Sequence, residues 1–245
     1  MILLGIDFET DSVQASTCRP REIGVQTYCT ETRKRGKAFS TMIWEKTFPP
    51  LTAEIEELTG ITDAENKTGC SVEIMLTMLA PILKEVDILC AYNAVYDRTV
   101  MKRCYTHAGM EMPDLPWICA YSDWPYPKRM RCGQLSHRAL DHGIKMDGRK
   151  LHRALADVTL MWDILDRYDP KVVLEYWGTP WVYAVAEVPK PWTDQGRGRD
   201  AAKAAGFGWE AAPGDDRKFP LKWVKRLKNN EPVPSYPFGV EFVAS

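Results

Sequence analysis

Residues 2–10 read ILLGIDFET, an apolar run that ends in two acidic residues. A continuous apolar run of this kind, interrupted only by Gly5, is typical of a strand buried on both faces of an α/β sheet. Because side chains alternate along a strand, we expect Asp7 and Glu9 on one face and Phe8 on the other. Two carboxylates at a buried strand end repel each other, so they predict either a bound divalent cation or an exposed strand end without a ligand.

The residues that follow predict an antiparallel meander and then helices that alternate with strands. Further strands are expected at 22–29 and 41–48, with the basic stretch 31–37 as the turn between them. Thr52 and Ser71 are suitable N-caps for two helices. The remaining expected elements are a strand at 86–91, a helix capped by Asn93, a short helix at 133–143 and a long helix at 154–168. This order predicts an α/β fold with a mixed sheet.

Two further acidic residues follow expected helix starts. Asp97 lies one turn into the helix that begins after Asn93, at the end of a buried strand, where α/β sheets often bind ligands. It could equally complement the helix dipole. Asp157 follows His152 by five residues, a spacing that does not share a helix face. His152 must therefore precede the helix if it is to meet Asp157, and otherwise it is a surface residue.

Three motifs, DFET at 7–10, NAVYD at 93–97 and HRALAD at 152–157, stand in this order along the chain. Together they resemble the motifs of the DEDDh family, the DnaQ-like proofreading exonucleases and their RNA-degrading relatives. LTGIT at 58–62 resembles the substrate-contacting stretch of that family. Tyr92 departs from the histidine that many relatives carry before the asparagine, a position outside the catalytic set.

The resemblance covers about residues 1–170 and implies a ribonuclease H-like fold, a mixed five-stranded sheet flanked by helices. It implies a 3′–5′ exonuclease that uses a two-metal mechanism with His152 as the general base. The implied metal-binding catalytic carboxylates are Asp7, Glu9, Asp97 and Asp157. Four carboxylates suit two Mg²⁺ or Mn²⁺ ions, and imidazole is the usual general base near neutral pH. The implied substrate contacts are Phe8, Thr10, Leu58, Thr59, Asn93 and Tyr96.

The chain changes composition after the expected exonuclease domain at 1–176. Several prolines and a Gly-Arg-Gly predict a linker at 177–198, followed by a small C-terminal basic and aromatic extension at 199–245. Residues 190–228 carry ten basic and five acidic residues, interleaved with Trp192, Phe207, Trp209, Phe219 and Trp223. Basic residues among aromatics suit single-stranded nucleic acid. The alternative is a small packing module whose aromatics form a minor core.

Composition excludes several classes of protein. The chain has 245 residues, is 45% hydrophobic and carries a net charge of −1, which excludes general disorder and a collagen-like fibre. No apolar run approaches the roughly 20 residues that span a bilayer, and no basic region precedes the first apolar run, so neither a membrane partner nor a signal peptide is expected. Seven cysteines without a C-x-x-C pair indicate a reducing cytoplasm. Cys132, His137 and His142 lack a fourth zinc ligand, and we interpret them as residues of one short helix.

The sequence leaves the substrate open. We expect single-stranded DNA or RNA with a free 3′ end, with DNA favoured. The alternatives are an oligoribonuclease-like exoribonuclease and a non-catalytic nucleic-acid-binding subunit that keeps the exonuclease fold. Proofreading would require a partner, a polymerase or another replication or repair protein. The basic run at 128–131 is interpreted as a solvated loop or as part of the substrate groove.

Overall fold

The structure is a computed structural model that describes residues 1–127, 133–146, 152–188, 194–211, 221–229 and 234–244. The basic run at 128–131, Cys132, Trp192 and Phe219 therefore lie outside the described residues. The chain divides into two compact units, Met1–Leu174 and Glu175–Ser245. None of the described helices is long and apolar enough to cross a membrane.

The first unit is built on a mixed five-stranded sheet. Its elements in chain order are β1 (Ile2–Thr10), β2 (Pro20–Cys29), β3 (Lys34–Met42), α1 (Ala53–Thr59), α2 (Asp63–Asn66), α3 (Val72–Leu83), β4 (Ile88–Ala91), α4 (Ala94–His107), β5 (Trp117–Cys119), α5 (Leu135–Asp141), α6 (Ala154–Leu165) and the start of α7 (Pro170–Gly178). The strand order is β3-β2-β1-β4-β5. β1, β2 and β3 are antiparallel, whereas β4 and β5 run parallel to β1. The mixed sheet predicted from the element order is confirmed, as are the five strands that the family resemblance implied.

The central strand β1 packs against helices on both of its faces. Leu4, Ile6 and Phe8 point into the main core, together with buried residues of α3 and α4. On the opposite face, a Cβ on Gly5 would lie only 2.7 Å from side-chain atoms of Val158 and Trp162 in α6. Alternation therefore directs the odd-numbered side chains of β1, Asp7 and Glu9 included, to the face that α6 covers.

Local signals placed most helix starts, but the third strand was predicted wrongly. Thr52 and Ser71 accept hydrogen bonds from backbone N–H groups of α1 and α3, as expected. The third strand, expected at 41–48, lies at Lys34–Met42 and includes most of the basic stretch taken as a turn. β3 is an edge strand with mainly exposed side chains, and charged residues are ordinary on such an edge. Residues 31–33 form the turn, whereas residues 34–37 of the expected turn belong to this polar strand.

The second unit is built on an antiparallel four-stranded sheet. Its elements are β6 (Trp181–Glu187), α8 (Arg197–Ala204), β7 (Gly208–Ala211), β8 (Leu221–Lys228) and β9 (Gly239–Ala244), and the strand order is β7-β8-β6-β9. The stretch expected as a linker, 177–198, contains β6 and the first residues of α8. Its prolines suggested a linker, but Pro180 precedes the strand without interrupting it. Phe207 lies in a small core with Ala184 and Leu227.

Candidate active site

Asp7 and Glu9 stand at the end of β1, beside the start of α6. In the β1–β2 ladder Asp7 is opposite Gly24, and Glu9 is opposite Glu22. A Cβ on Gly24 would lie 2.1 Å from the backbone nitrogen of Leu155, so only glycine lets the helix backbone approach β2 this closely. The first turn of α6 therefore rests on the rung of the sheet that carries Asp7.

Asp97 reaches the same place from α4. β4 runs parallel to β1, with Leu3 beside Ile88, so the carboxyl ends of both strands lie at one edge of the sheet. α4 begins directly after β4, and Asp97 in its first turn is only 3% exposed. The backbone N–H of Phe8 donates a hydrogen bond to Asp97 Oδ1 over 3.1 Å. Asp97 is therefore fixed between Asp7 and Glu9 along the backbone of β1.

His152 and Asp157 complete the cluster from α6. His152 precedes the helix, as its spacing from Asp157 requires. Its backbone is in the left-handed region, with φ of 58°. Glu9, His152 and Asp157 each offer one ligand atom, and these atoms lie within 4.8 Å of one another. His152 is exposed, whereas both carboxylates are partly buried. The three sequence motifs thus meet in space.

Burial raises the pKa values of all four carboxyl groups, and repulsion from neighbouring members of the cluster adds to the shift at Asp7 and Glu9. Burial, and then the charges of Asp97 and Glu9, raise the pKa of Asp7 well above its usual value. Burial and the charge of Asp157 raise the pKa of Glu9 to about 8. Burial raises the pKa of Asp97 to about 7, although its bond from the Phe8 N–H opposes this shift. Burial raises the pKa of Asp157 to about 6, against the opposing effect of His152.

The donor set fits divalent cations. Within the part of the chain that the structure describes, no hydrogen-bond donor contacts the carboxylates of Asp7 or Glu9. Clustered carboxylates in a poorly solvated place need a positive partner or must hold protons. The carboxylate oxygens of the cluster are ligands that Mg²⁺ and Mn²⁺ prefer.

Two of the expected substrate contacts, Thr10 and Tyr96, lie together beside the cluster. The Thr10 hydroxyl and the Tyr96 hydroxyl are 2.5 Å apart, and both also contact the carbonyl of Ser12. Both side chains are partly buried. These two hydroxyl groups therefore form a small polar patch at the C-terminal end of β1.

The structure contradicts a stacking role for Phe8 and a contact through the side chain of Thr59. Phe8 is 5% exposed and belongs to the core, because strand alternation turns it away from Asp7 and Glu9. Thr59 is buried, and its hydroxyl bonds to Ile55 O and the Ile61 N–H within the end of α1.

The other two expected contacts, Leu58 and Asn93, are exposed. Leu58 precedes the turn that ends α1 and shows 52% of its surface. Asn93 occupies the expected N-cap position of α4, but its side chain makes no capping hydrogen bond there. Both side chains remain accessible to a ligand.

Two residues at the site were missed from the sequence, Glu22 and Arg153. Glu22 lies opposite Glu9 and is 2% exposed, and Arg153 donates two hydrogen bonds to it. The available signals were an acidic residue at the start of the expected strand 22–29 and an arginine directly after His152.

His142, one of the three residues considered as zinc ligands, is engaged in hydrogen bonds. Its Nδ1 contacts the carbonyl of Arg138 and its Nε2 contacts the hydroxyl of Tyr168, both over 2.6 Å. His137 lies in the short helix α5, and His142 is the C-cap residue of that helix. These contacts agree with the interpretation of the pair as helix residues.

Residues 4–165 match the family model RNase_T, described as exonuclease. The nuclease domain of 3′hExo, a DEDDh family member bound to rAMP, is 18% identical with a TM-score of 0.58, over 68% of this chain and 90% of that one. The zinc-bound complex of E. coli exonuclease I with single-stranded DNA is 13% identical with a TM-score of 0.63, over 93% of this chain and 63% of that one. No curated protein sequence matches the chain. At these identities the solved structures show the fold alone.

The family match spans β1 to the end of α6, and the structural matches share the mixed sheet that carries the acidic cluster. The chain thus belongs to the RNase_T exonuclease family, with the ribonuclease H-like fold of the DEDDh exonucleases.

Proposed function

We propose that this protein is a metal-dependent 3′–5′ exonuclease that degrades single-stranded nucleic acid to 5′-mononucleotides, with DNA as the favoured substrate. The observation that carries the proposal is the convergence of Asp7, Glu9, Asp97 and Asp157 with His152 at one end of the central strand. A binding module would have no reason to keep four repelling carboxylates in one poorly solvated place. This argues against the non-catalytic alternative.

The residues divide the chemical work as follows. Two divalent cations held by the four carboxylates would activate the attacking water and stabilise the leaving 3′ oxygen. His152, exposed beside Glu9 and Asp157, accepts the proton of that water and passes it to solvent. Thr10 and Tyr96 offer hydroxyl groups at the end of β1 to the terminal nucleotide.

The share of this chain that each solved structure covers supports DNA as the favoured substrate. The exonuclease I complex with single-stranded DNA covers 93% of this chain and so extends into the second unit, whereas 3′hExo with bound rAMP covers 68%. The match to 3′hExo keeps an exoribonuclease as the second candidate. One matching structure joins exonuclease I to SSB-Ct, and we propose that a replication or repair protein also binds this chain. The free cysteines of the described residues suit a reducing compartment, and we propose the cytoplasm.

Side-by-side digestion of DNA and RNA tests the proposal. Single strands of one sequence, labelled at the 5′ end, are incubated with Mg²⁺, Mn²⁺ or EDTA. We expect ladders that shorten from the 3′ end, faster on DNA, and no cleavage in EDTA. Asp7→Asn should abolish cleavage, while Asp114→Asn, the same change at an exposed site, should not. Shortening from the 5′ end, internal cuts, or full activity of Asp7→Asn would overturn the proposal.

A further inference from the structure

Glu22 is a buried carboxylate that the proposed chemistry does not use. It lies on β2 directly opposite Glu9 and is 2% exposed. Its charge adds to the repulsion that Asp7, Glu9 and Asp157 already experience. A fifth acid beside four others is unfavourable unless its position has a function.

The contacts of Glu22 exclude it as a metal ligand. Arg153 donates from Nε to Glu22 Oε2 over 3.0 Å and from Nη2 to Oε1 over 3.2 Å, a bidentate pair. The backbone N–H of Ala154 donates to Oε2 over 3.2 Å, and Ser40 Oγ donates to Oε1 over 2.8 Å. Four donors occupy the two carboxylate oxygens, so no lone pair is left to face a cation.

These contacts join β2 to the start of α6. Arg153 stands between His152 and the first residue of the helix, and the Ala154 N–H is one of the helix-terminal donors that have no partner within the helix. The side chain of Arg153 makes no capping bond of its own at this helix start. Glu22 therefore caps α6 from a different element, and the close approach at Gly24 places the same first turn against β2.

The geometry of His152 requires such support. A residue other than glycine in the left-handed region costs roughly 1 kcal/mol or more and persists only where its surroundings hold it. Arg153, the next residue, is extended, with φ of −129° and ψ of 120°. The chain thus changes direction sharply at His152, and its position depends on how firmly Arg153 is held.

We propose that the Glu22–Arg153 pair is a positioning clamp that sets His152 and Asp157 against Glu9. The clamp lies on the rung of the β1–β2 ladder that carries Glu9, so the ladder fixes the separation between clamp and site. The inference rests on the proposed function, because it assigns the pair a purpose in cleavage. Misplacement of a catalytic group by about 1 Å can cost on the order of 10²-fold in rate.

Steady-state and single-turnover cleavage of single-stranded DNA test the clamp, with Glu22→Gln and Arg153→Lys as the variants. Both keep approximate size but remove the bidentate charged pair. We expect kcat to fall about 10- to 100-fold and KM to change less than about threefold, at a temperature well below unfolding. Ser40→Ala is the matched control, because it removes the contact of Glu22 with β3 and leaves both bonds from Arg153 in place. Its kcat should stay within about twofold of wild type.

A double-variant cycle separates positioning from general destabilisation. If the clamp acts through His152, Glu22→Gln should cost far less in a His152→Ala background than in the wild-type chain. Equal losses in both backgrounds, or an unchanged kcat with a lower Tm, would show a structural role only and overturn the inference.

Hydrogen exchange gives a readout that does not depend on cleavage. In Glu22→Gln we expect faster exchange of the first-turn amides of α6, with the last turn of the helix and the Ser40→Ala protein unchanged. Unchanged first-turn exchange would overturn the clamp even if the enzyme is active. An inactive wild-type chain would instead overturn the proposed function, and the exchange result would still decide whether the clamp exists.

Discussion

Replacing Asp157 by asparagine should stabilise the metal-free protein at high pH. Ligand atoms of Glu9 and Asp157 lie within 4.8 Å of each other. At an effective dielectric constant of about 20, two unit charges at that distance repel by about 3.5 kcal/mol when both are ionised. Both side chains are partly exposed, so we expect about 2 kcal/mol of this repulsion to appear in stability, a rise of roughly 4–8 °C in Tm for a unit of this size.

The pH dependence follows from the sign of the pKa shifts. The folded pKa values of Glu9, about 8, and Asp157, about 6, lie above the ordinary values of 4.5 and 3.8. Groups with raised pKa values contribute stability that is complete below the unfolded values and is lost as pH rises through the folded ones. The metal-free protein should therefore lose stability between about pH 4 and pH 8, and Asp157→Asn should flatten this loss.

Calorimetric unfolding in EDTA at pH 5 and pH 9 measures the effect. The matched control is Asp163→Asn on the same helix, because Asp163 pairs with Arg35 over 2.5 Å and its loss should lower Tm at both pH values. Added Mn²⁺ should raise the Tm of the wild-type chain more than that of Asp157→Asn. If Asp157→Asn lowers Tm at pH 9, as Asp163→Asn does, the carboxylates do not repel and the reasoning fails.

Three further results are expected. His152→Ala should slow single-turnover cleavage by about 10²- to 10⁴-fold, the usual range for a general base, and an undiminished rate would remove that role. Mn²⁺ binding at pH 7 should release protons, because burial and repulsion hold the pKa of Glu9 at about 8, and titration calorimetry in two buffers of different ionisation enthalpy measures this release. In the second unit Arg226 is exposed, and its guanidinium lies over the ring of Trp181 at 4.4 Å from the centroid. Arg226→Ala should weaken the binding of a long single strand in Ca²⁺ and reduce the salt dependence of that binding. An unchanged salt dependence would exclude a contact between Arg226 and the strand.

Local sequence patterns were sufficient to predict those features of the site that depend only on neighbouring residues. The alternation of β1 alone predicted that Asp7 and Glu9 share one face and Phe8 the other. The same alternation contradicts the stacking contact that the family resemblance implied for Phe8, which is 5% exposed. The five-residue spacing of His152 and Asp157 likewise placed the histidine ahead of α6.

Contacts between distant parts of the chain could not be predicted from local sequence patterns. Glu22 and Arg153 are 131 residues apart, and their pairing depends on where α6 lands on the sheet. That position depends on Gly24, whose missing side chain admits the backbone of Leu155. A glycine in a strand signals a close approach but does not say which element approaches. The edge strand β3 was predicted wrongly for another reason, because its charged side chains conceal the apolar pattern typical of a strand.

The repulsion within the site and the clamp beside it are physically connected. At high pH and without bound cations, the charges of Asp7 and Glu9 on β1 repel that of Asp157 on α6, which tends to separate the helix start from the sheet. The Glu22–Arg153 pair acts across the same contact in the opposite direction, since it attracts the helix start to β2. At pH 9, Glu22→Gln should therefore lower the metal-free Tm while Asp157→Asn raises it, and the double variant should lie between the two. A double variant as unstable as Glu22→Gln alone would show that the clamp does not oppose the repulsion of the site.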